Sequence, residues 1–149
     1  MGRPAVGSVG DLSGKEVEMT EHPGVEGARA SIDAFNRGDM ATLRDFYAED
    51  VVWHVGGKHG LSGDYRGRDE LFAYFDKVRE MTGGTLRLTP EAILSSEDHT
   101  AIFMRVSGER DGRSLDVTLT EAFTIGPDGR WNEFWSLADD QDAVDAFWS

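Results

Sequence analysis

The chain has no cysteine. Disulfides, thiolate metal sites and thiol redox chemistry are excluded at once. Positive charge is scarce as well. Fifteen Lys and Arg stand against 28 Asp and Glu, a formal net charge of −13 in 149 residues. A protein that binds phosphates gains affinity by neutralising them with Lys and Arg. We therefore expect no nucleic-acid partner and no anionic membrane surface. Long apolar runs are missing too, so no stretch reads as a membrane span. The first residues have no apolar signal core, and Val6 stands where a myristoylation signal needs Ser or Thr. These absences point to a cytoplasmic protein.

What is present is enough for one core. Hydrophobic residues make up 39% of the chain, which argues against disorder over most of its length. Residues 1–21 hold Gly2, Gly7, Gly10 and Gly14 with little periodicity. They read as a flexible tail, with a single domain over 22–149.

Pro23 suits the first turn of a helix, and Val25, Ala28, Ile32 and Phe35 recur at helical spacing up to Gly38. Asp39 caps a second helix, with Met40, Leu43, Phe46 and Tyr47 as its apolar face, reaching Asp50. Val51 to Val55 is a strand. Gly56, Gly57, Gly60, Gly63 and Gly67 punctuate a long loop. A third helix follows, with Leu71, Phe72, Phe75 and Val78 as its apolar side. From Thr85 the period becomes two. Strands are expected at about 85–95, 100–110, 113–125 and 130–137, joined by turns at Asp111-Gly112 and Pro127-Asp128-Gly129. Asp139 to Trp148 is a short last helix. The expected fold is α+β: a conical barrel of one strongly curved, mostly antiparallel sheet, covered by three N-terminal helices, with a pocket at the open end.

The strand Leu115 to Ile125 carries the clearest anomaly. Leu115, Val117, Leu119, Phe123 and Ile125 form its apolar face, and Glu121 stands among them. A charged carboxylate there costs several kcal/mol unless it is paired, solvated or neutral. Glu121 is thus a pocket acid or one half of a structural ion pair with a neighbour such as Arg105. Arg105 pairs with Glu121, binds an anionic substrate group, or is merely solvated. His54 titrates near neutrality and is a pocket base or donor, or a hydrogen-bonded strand histidine. His59, in the glycine-rich loop, is a surface residue or a ligand contact. Tyr65 closes the mouth of the cone or anchors the third helix. Trp53 and Trp135 are walls for a ligand or plain core. The last strand is mixed on both faces, which suggests cover by the core on one side and a partner subunit on the other. The histidine spacing does not suggest a metal site. No GxGxxG, GxxxxGK[ST] or GxSxG motif occurs in its required setting.

The segments AFNRGDMATLRDFYAEDVVWHV, LSGDYRGRDELFAYF and EAFTIGPDGRWNEFWSLADDQDAVDAFW resemble the nuclear transport factor 2-like superfamily. That group includes ketosteroid isomerases and SnoaL-like polyketide cyclases. The resemblance implies a single SnoaL-like domain over 22–149, a homodimer, and a small apolar, polyketide-like or steroid-like ligand. It implies isomerisation, cyclisation or dehydration by proton transfer, with no cofactor, or else a non-catalytic binding module. Ketosteroid isomerases use an Asp base with an oxyanion hole of Tyr and a protonated Asp. By hand alignment the tyrosine falls at Ser31, the base at Val55 and the protonated acid at Glu121. Only the last is chemically similar. The cyclases resemble the chain in Trp135, Asp139 and Asp140. Epoxide hydrolases of the group use Asp-Arg-Asp, of which Arg105 and Glu121 supply a part. The expected catalytic residues are Glu121 and His54. Trp53, His59, Tyr65, Arg105, Trp135 and Asp139 are the expected substrate contacts. Phe134 is expected on the dimer surface.

Overall fold

A computed structural model describes residues 22–149; the expected tail at 1–21 lies outside the described residues. Helix α1 spans Pro23–Arg37. It starts where Pro23 presets φ and the His22 ring accepts the Gly24 N–H at 3.0 Å. It stops at Gly38, whose φ of 76° only glycine adopts cheaply. Asp39 caps the five-residue α2, Met40–Arg44, by accepting the Thr42 N–H at 3.1 Å.

The second helix is therefore shorter than expected. Tyr47 begins strand β1, Tyr47–Val55, instead of lying on a helix. The reason is tertiary. As the first strand residue, Tyr47 packs its ring at 5.3–6.3 Å from Trp53, Phe72, Phe75, Trp131 and Phe134. That aromatic burial overrides local helical periodicity.

The glycines predict a loop over residues 63–66, but strand β2, Gly63–Arg66, is a short edge strand paired antiparallel to β1. Helix α3 follows at Arg68–Met81. Then come β3 Arg87–Ser95, β4 His99–Arg110, β5 Arg113–Ile125, β6 Trp131–Ala138 and helix α4 Gln141–Trp148. The sheet order is β2-β1-β6-β5-β4-β3, with β1 and β6 parallel and every other pair antiparallel. Asp111 and Gly112, at φ 50° and 79°, close the β4–β5 hairpin. The two long covering helices are α1 and α3, and α3 lies between β2 and β3 rather than at the N-terminus. The Asn36 side chain fastens α1 to the sheet: it donates to the Leu88 carbonyl at 2.8 Å and accepts the Leu88 N–H at 3.0 Å. No helix among the described residues is long and apolar enough to cross a membrane.

The mixed faces of β6 have a local cause. Thr124 pairs with Glu133, but Ile125 pairs with Trp131, so one extra residue is inserted in β6. That bulge reverses the alternation. Trp131 and Phe134 both turn inward, while Trp135 and Leu137 turn outward, 43% and 73% exposed. Phe134 is fully buried, stacked 4.4 Å from both Trp53 and Phe123. Its expected place on an exposed surface is thus corrected: it lies at the centre of the core.

Candidate functional site

The inner face of the sheet does not close completely on the helices. A cavity of about 150 Å³ remains. Its walls are mostly apolar: Ile32 and Phe35 from α1, Phe75 and Val78 from α3, Met104 and Val106 from β4, Leu115, Val117 and Leu119 from β5. Val144 and Trp148 of α4 complete the enclosure.

Glu121 is on this wall. Strand alternation puts it there, since Leu119 and Phe123 flank it on the same face. Its neighbours across the ladders are Ile102 on β4 and Ser136 on β6. Neither is a cation. The carboxyl makes no hydrogen bond or ion pair with the described residues, and burial alone pushes its pKa up to about 8. Near neutral pH it is chiefly the uncharged acid, a hydrogen-bond donor.

Two tyrosines share the cavity with it. Tyr47 comes from the start of β1 and Tyr74 from the middle of α3. Neither hydroxyl has a hydrogen-bond partner among the described residues. Burial raises both pKa values, and the Glu121 charge raises them further. Both hydroxyls therefore stay protonated across the physiological range. Neither position stands out as a site residue in the sequence. Tyr47 was hidden by the helical reading. Tyr74 had a usable signal: it lies three residues after Leu71 and four before Val78, on the same helical face.

His59 is buried to 2% side-chain exposure at the edge of the cavity. Its Nδ1 accepts the Leu61 N–H at 3.1 Å, which puts the proton of the neutral ring on Nε2. That Nε2 has no hydrogen-bond partner among the described residues, and Asp145 Oδ1 lies 3.9 Å away. Burial lowers the pKa of His59, against the opposing pull of Asp145. Asp145 itself ties α4 to the loop, accepting from the Lys58 N–H at 2.9 Å and the Gln141 amide at 3.0 Å.

The remaining expected site residues divide cleanly. Trp53 lines the cavity, stacked on Phe134. Tyr65 does not reach the lining; its ring lies 4.5 Å from that of Tyr74, and its hydroxyl donates to the Leu61 carbonyl at 2.7 Å. It backs the wall rather than forming it. Four residues lie on the outer face instead. His54 is bridged by Asp64 at 2.7 Å and Glu133 at 2.8 Å and stacks on Trp135 at 5.7 Å. Those carboxylates, Glu133 first, raise its pKa. Arg105 pairs with Asp116, its Nε donating at 2.7 Å. Its partner across the ladder is Thr118, so it cannot reach Glu121. Asp139 accepts the Thr118 N–H at 3.1 Å and is exposed. The reason is parity: His54 follows the inward Trp53, and Arg105 follows the inward Met104. Ser31 and Val55, where the isomerase alignment fell, both line the cavity. The Ser31 hydroxyl donates to the Ala28 carbonyl at 2.8 Å.

The architecture is the nuclear transport factor 2-like one. Residues 28–134 match the family described as SnoaL-like domain. The uncharacterized protein Rv0034 of Mycobacterium tuberculosis is 34% identical over 134 residues, 88% of this chain and all of that protein. Bal32a, from a soil-derived mobile gene cassette, is also 34% identical, with a TM-score of 0.80 over 83% of this chain and 95% of its own. TerC, solved with polyporic acid, shares the fold at 22% identity, with a TM-score of 0.73 over 85% of this chain and 98% of its own.

Proposed function

The chain belongs to the SnoaL-like domain family, and from that premise we propose that it binds a small, mostly apolar molecule in the cavity and transfers a proton to or from it through Glu121. The observation that carries this reading is the unpartnered Glu121 carboxyl on the wall of a mostly apolar cavity. A fold has little reason to bury an acid without a partner unless a ligand uses it. The pKa near 8 suits a group that both gives and takes a proton close to neutral pH. TerC, which shares the fold, was co-crystallized with polyporic acid, and that is in keeping with reading the cavity as a ligand site. The reaction class is isomerisation, cyclisation or dehydration, with no cofactor required. Glu121→Gln keeps the size and removes the acid. It should abolish turnover while ligand affinity falls only modestly; an undiminished rate would refute the role of Glu121.

The outer face supports a homodimer. Leu94, Phe103, Trp135 and Leu137 are exposed there on β3, β4 and β6. Leu94, Ala101, Ala122 and Trp135 form one continuous row across four strands. An apolar patch on a sheet face is suited to a second copy of the same face. Sedimentation at micromolar concentration should give twice the chain mass, and Trp135→Lys should give the monomer. A wild-type monomer would refute it.

A further inference from the structure

Apart from Glu121, a buried histidine at the cavity also holds a polar group without a partner among the described residues. We propose that His59 sets the specificity of the cavity: its Nε2–H donates to an uncharged acceptor atom, an ether or hydroxyl oxygen, that the occupant carries at the end covered by α4. This inference rests on reading the cavity as a ligand site.

The first observation is the state of the ring. The His59 side chain lines the cavity and is 2% exposed. Nδ1 is in use: it accepts the Leu61 N–H at 3.1 Å, which leaves the proton of the neutral ring on Nε2. That N–H has no acceptor among the described residues. Asp145 Oδ1, at 3.9 Å, is beyond hydrogen-bond reach. The nearby Gly56 carbonyl accepts from the Ser62 hydroxyl at 3.0 Å and does not take the proton. Fixing the turn at Leu61 needs only Nδ1. The spare donor is the part of the ring that the fold alone does not explain, and a buried donor without an acceptor is costly.

The second is that the donor is held in place. The His59 backbone N–H donates to Ser62 Oγ at 3.0 Å, so main chain and ring are both fixed. Gly57 lets α4 close over them: a Cβ there would lie 3.1 Å from His59 Cδ2 and 2.3 Å from Asp145 Oδ1. The third is position. Gln141, Val144 and Trp148 of α4 line the same cavity. The loop that carries His59 leaves β1 after Val55, and β6 separates β1 from β5. Strands stand about 4.8 Å apart, so β1 and β5 are about 10 Å apart. His59 and Glu121 thus stand on different walls and address different atoms of one occupant. The fourth is charge. No Lys or Arg among the described residues lines the cavity. An anion at Nε2 would lie beside the Asp145 carboxylate with no cation to pair it.

The test compares two variants of the full chain with two probes of one shape. His59→Asn keeps an acceptor for the Leu61 N–H and removes the donor at Nε2. His59→Gln keeps a donor at the Nε2 position. Tetrahydropyran carries one ether oxygen, and cyclohexane carries none. Binding is followed by the amide chemical shifts of cavity residues. His59→Asn should weaken tetrahydropyran roughly 3- to 10-fold, the span of a net hydrogen bond, and leave cyclohexane unchanged. His59→Gln should keep tetrahydropyran affinity near the wild-type value. In the wild type, tetrahydropyran should also shift the His59 Nε2–H signal, assigned by its loss in His59→Asn, and cyclohexane should not. If His59→Asn weakens both probes alike or neither, the ring is structural, the inference falls and the pocket stands. Benzoate binding that depends on His59 in the same way would overturn the uncharged class. Failure of every probe to shift a cavity residue overturns both the inference and the reading of the cavity as a ligand site.

Discussion

Glu121 on β5 and Tyr47 at the start of β1 line the same cavity and share no hydrogen bond. The tyrosine is buried among five aromatic rings, and the acid has Ile102 and Ser136 as ladder neighbours. Two polar groups thus face one mostly apolar cavity from different strands without pairing. Such an arrangement lowers stability in the empty protein, and binding of an acceptor offsets it.

Stability should therefore depend on pH through Glu121. Its pKa is raised from 4.5 to about 8 on folding. Between those values the unfolded chain has lost the proton and the folded chain retains it, so stability falls as pH rises. The full effect is on the order of a few kcal/mol. Glu121→Gln should flatten this part of the profile and raise the melting temperature at pH 8 more than at pH 4. A wild-type profile with the same slope as the variant contradicts the buried neutral acid.

His54 should titrate above its ordinary value, since Glu133 and Asp64 both accept from its ring. Its contribution to stability is present at low pH and is lost as pH rises through the raised pKa. Glu133→Gln should move the His54 titration, read by ring proton shifts, back toward 6.5. The cavity should be unaffected, because the pair lies on the outer face.

Gly57 resists substitution chiefly through its backbone conformation. Its φ is 89°, and a Cβ there would lie 2.3 Å from both Asp145 Oδ1 and Gln141 Nε2. Gly57→Ala should cost about 1–3 kcal/mol, measured by urea unfolding. Trypsin should then cut more readily at Lys58 as α4 loosens. An unchanged midpoint and cleavage rate would show that α4 is not fastened there.

The two large aromatics of β6 should separate packing from surface. Phe134→Ala should cost about 3–5 kcal/mol, as large-to-small core changes do. Trp135→Ala should change the stability of the monomer by under about 1 kcal/mol. Chemical denaturation of both variants under monomeric conditions checks this; equal losses would contradict the bulge in β6.

Much of this was legible in the sequence. Period-two alternation located β5 and the anomaly of Glu121, and Gly38 and Asp39 marked the end of α1 and the start of α2. The failures have specific causes. Tyr47 fits a helical face by spacing, and only distant rings draw it into a strand. The bulge in β6 shifts parity by one residue, so Phe134 and Trp135 exchange places. Nothing local announces it, because the pairing partner Ile125 is six residues earlier in the chain. Among the expected site residues, His54 and Arg105 carry reactive groups, but each occupies the outward parity of its strand. Side-chain chemistry made them candidates, and register removed them from the cavity.

The most direct measurement is the titration of Glu121 itself, read from the side-chain carboxyl carbon in a glutamate-labelled sample with Glu121→Gln to assign the signal. One carboxyl should titrate near pH 8. A Glu121 signal titrating near 4.5 would contradict the buried acid on which the proposed function stands.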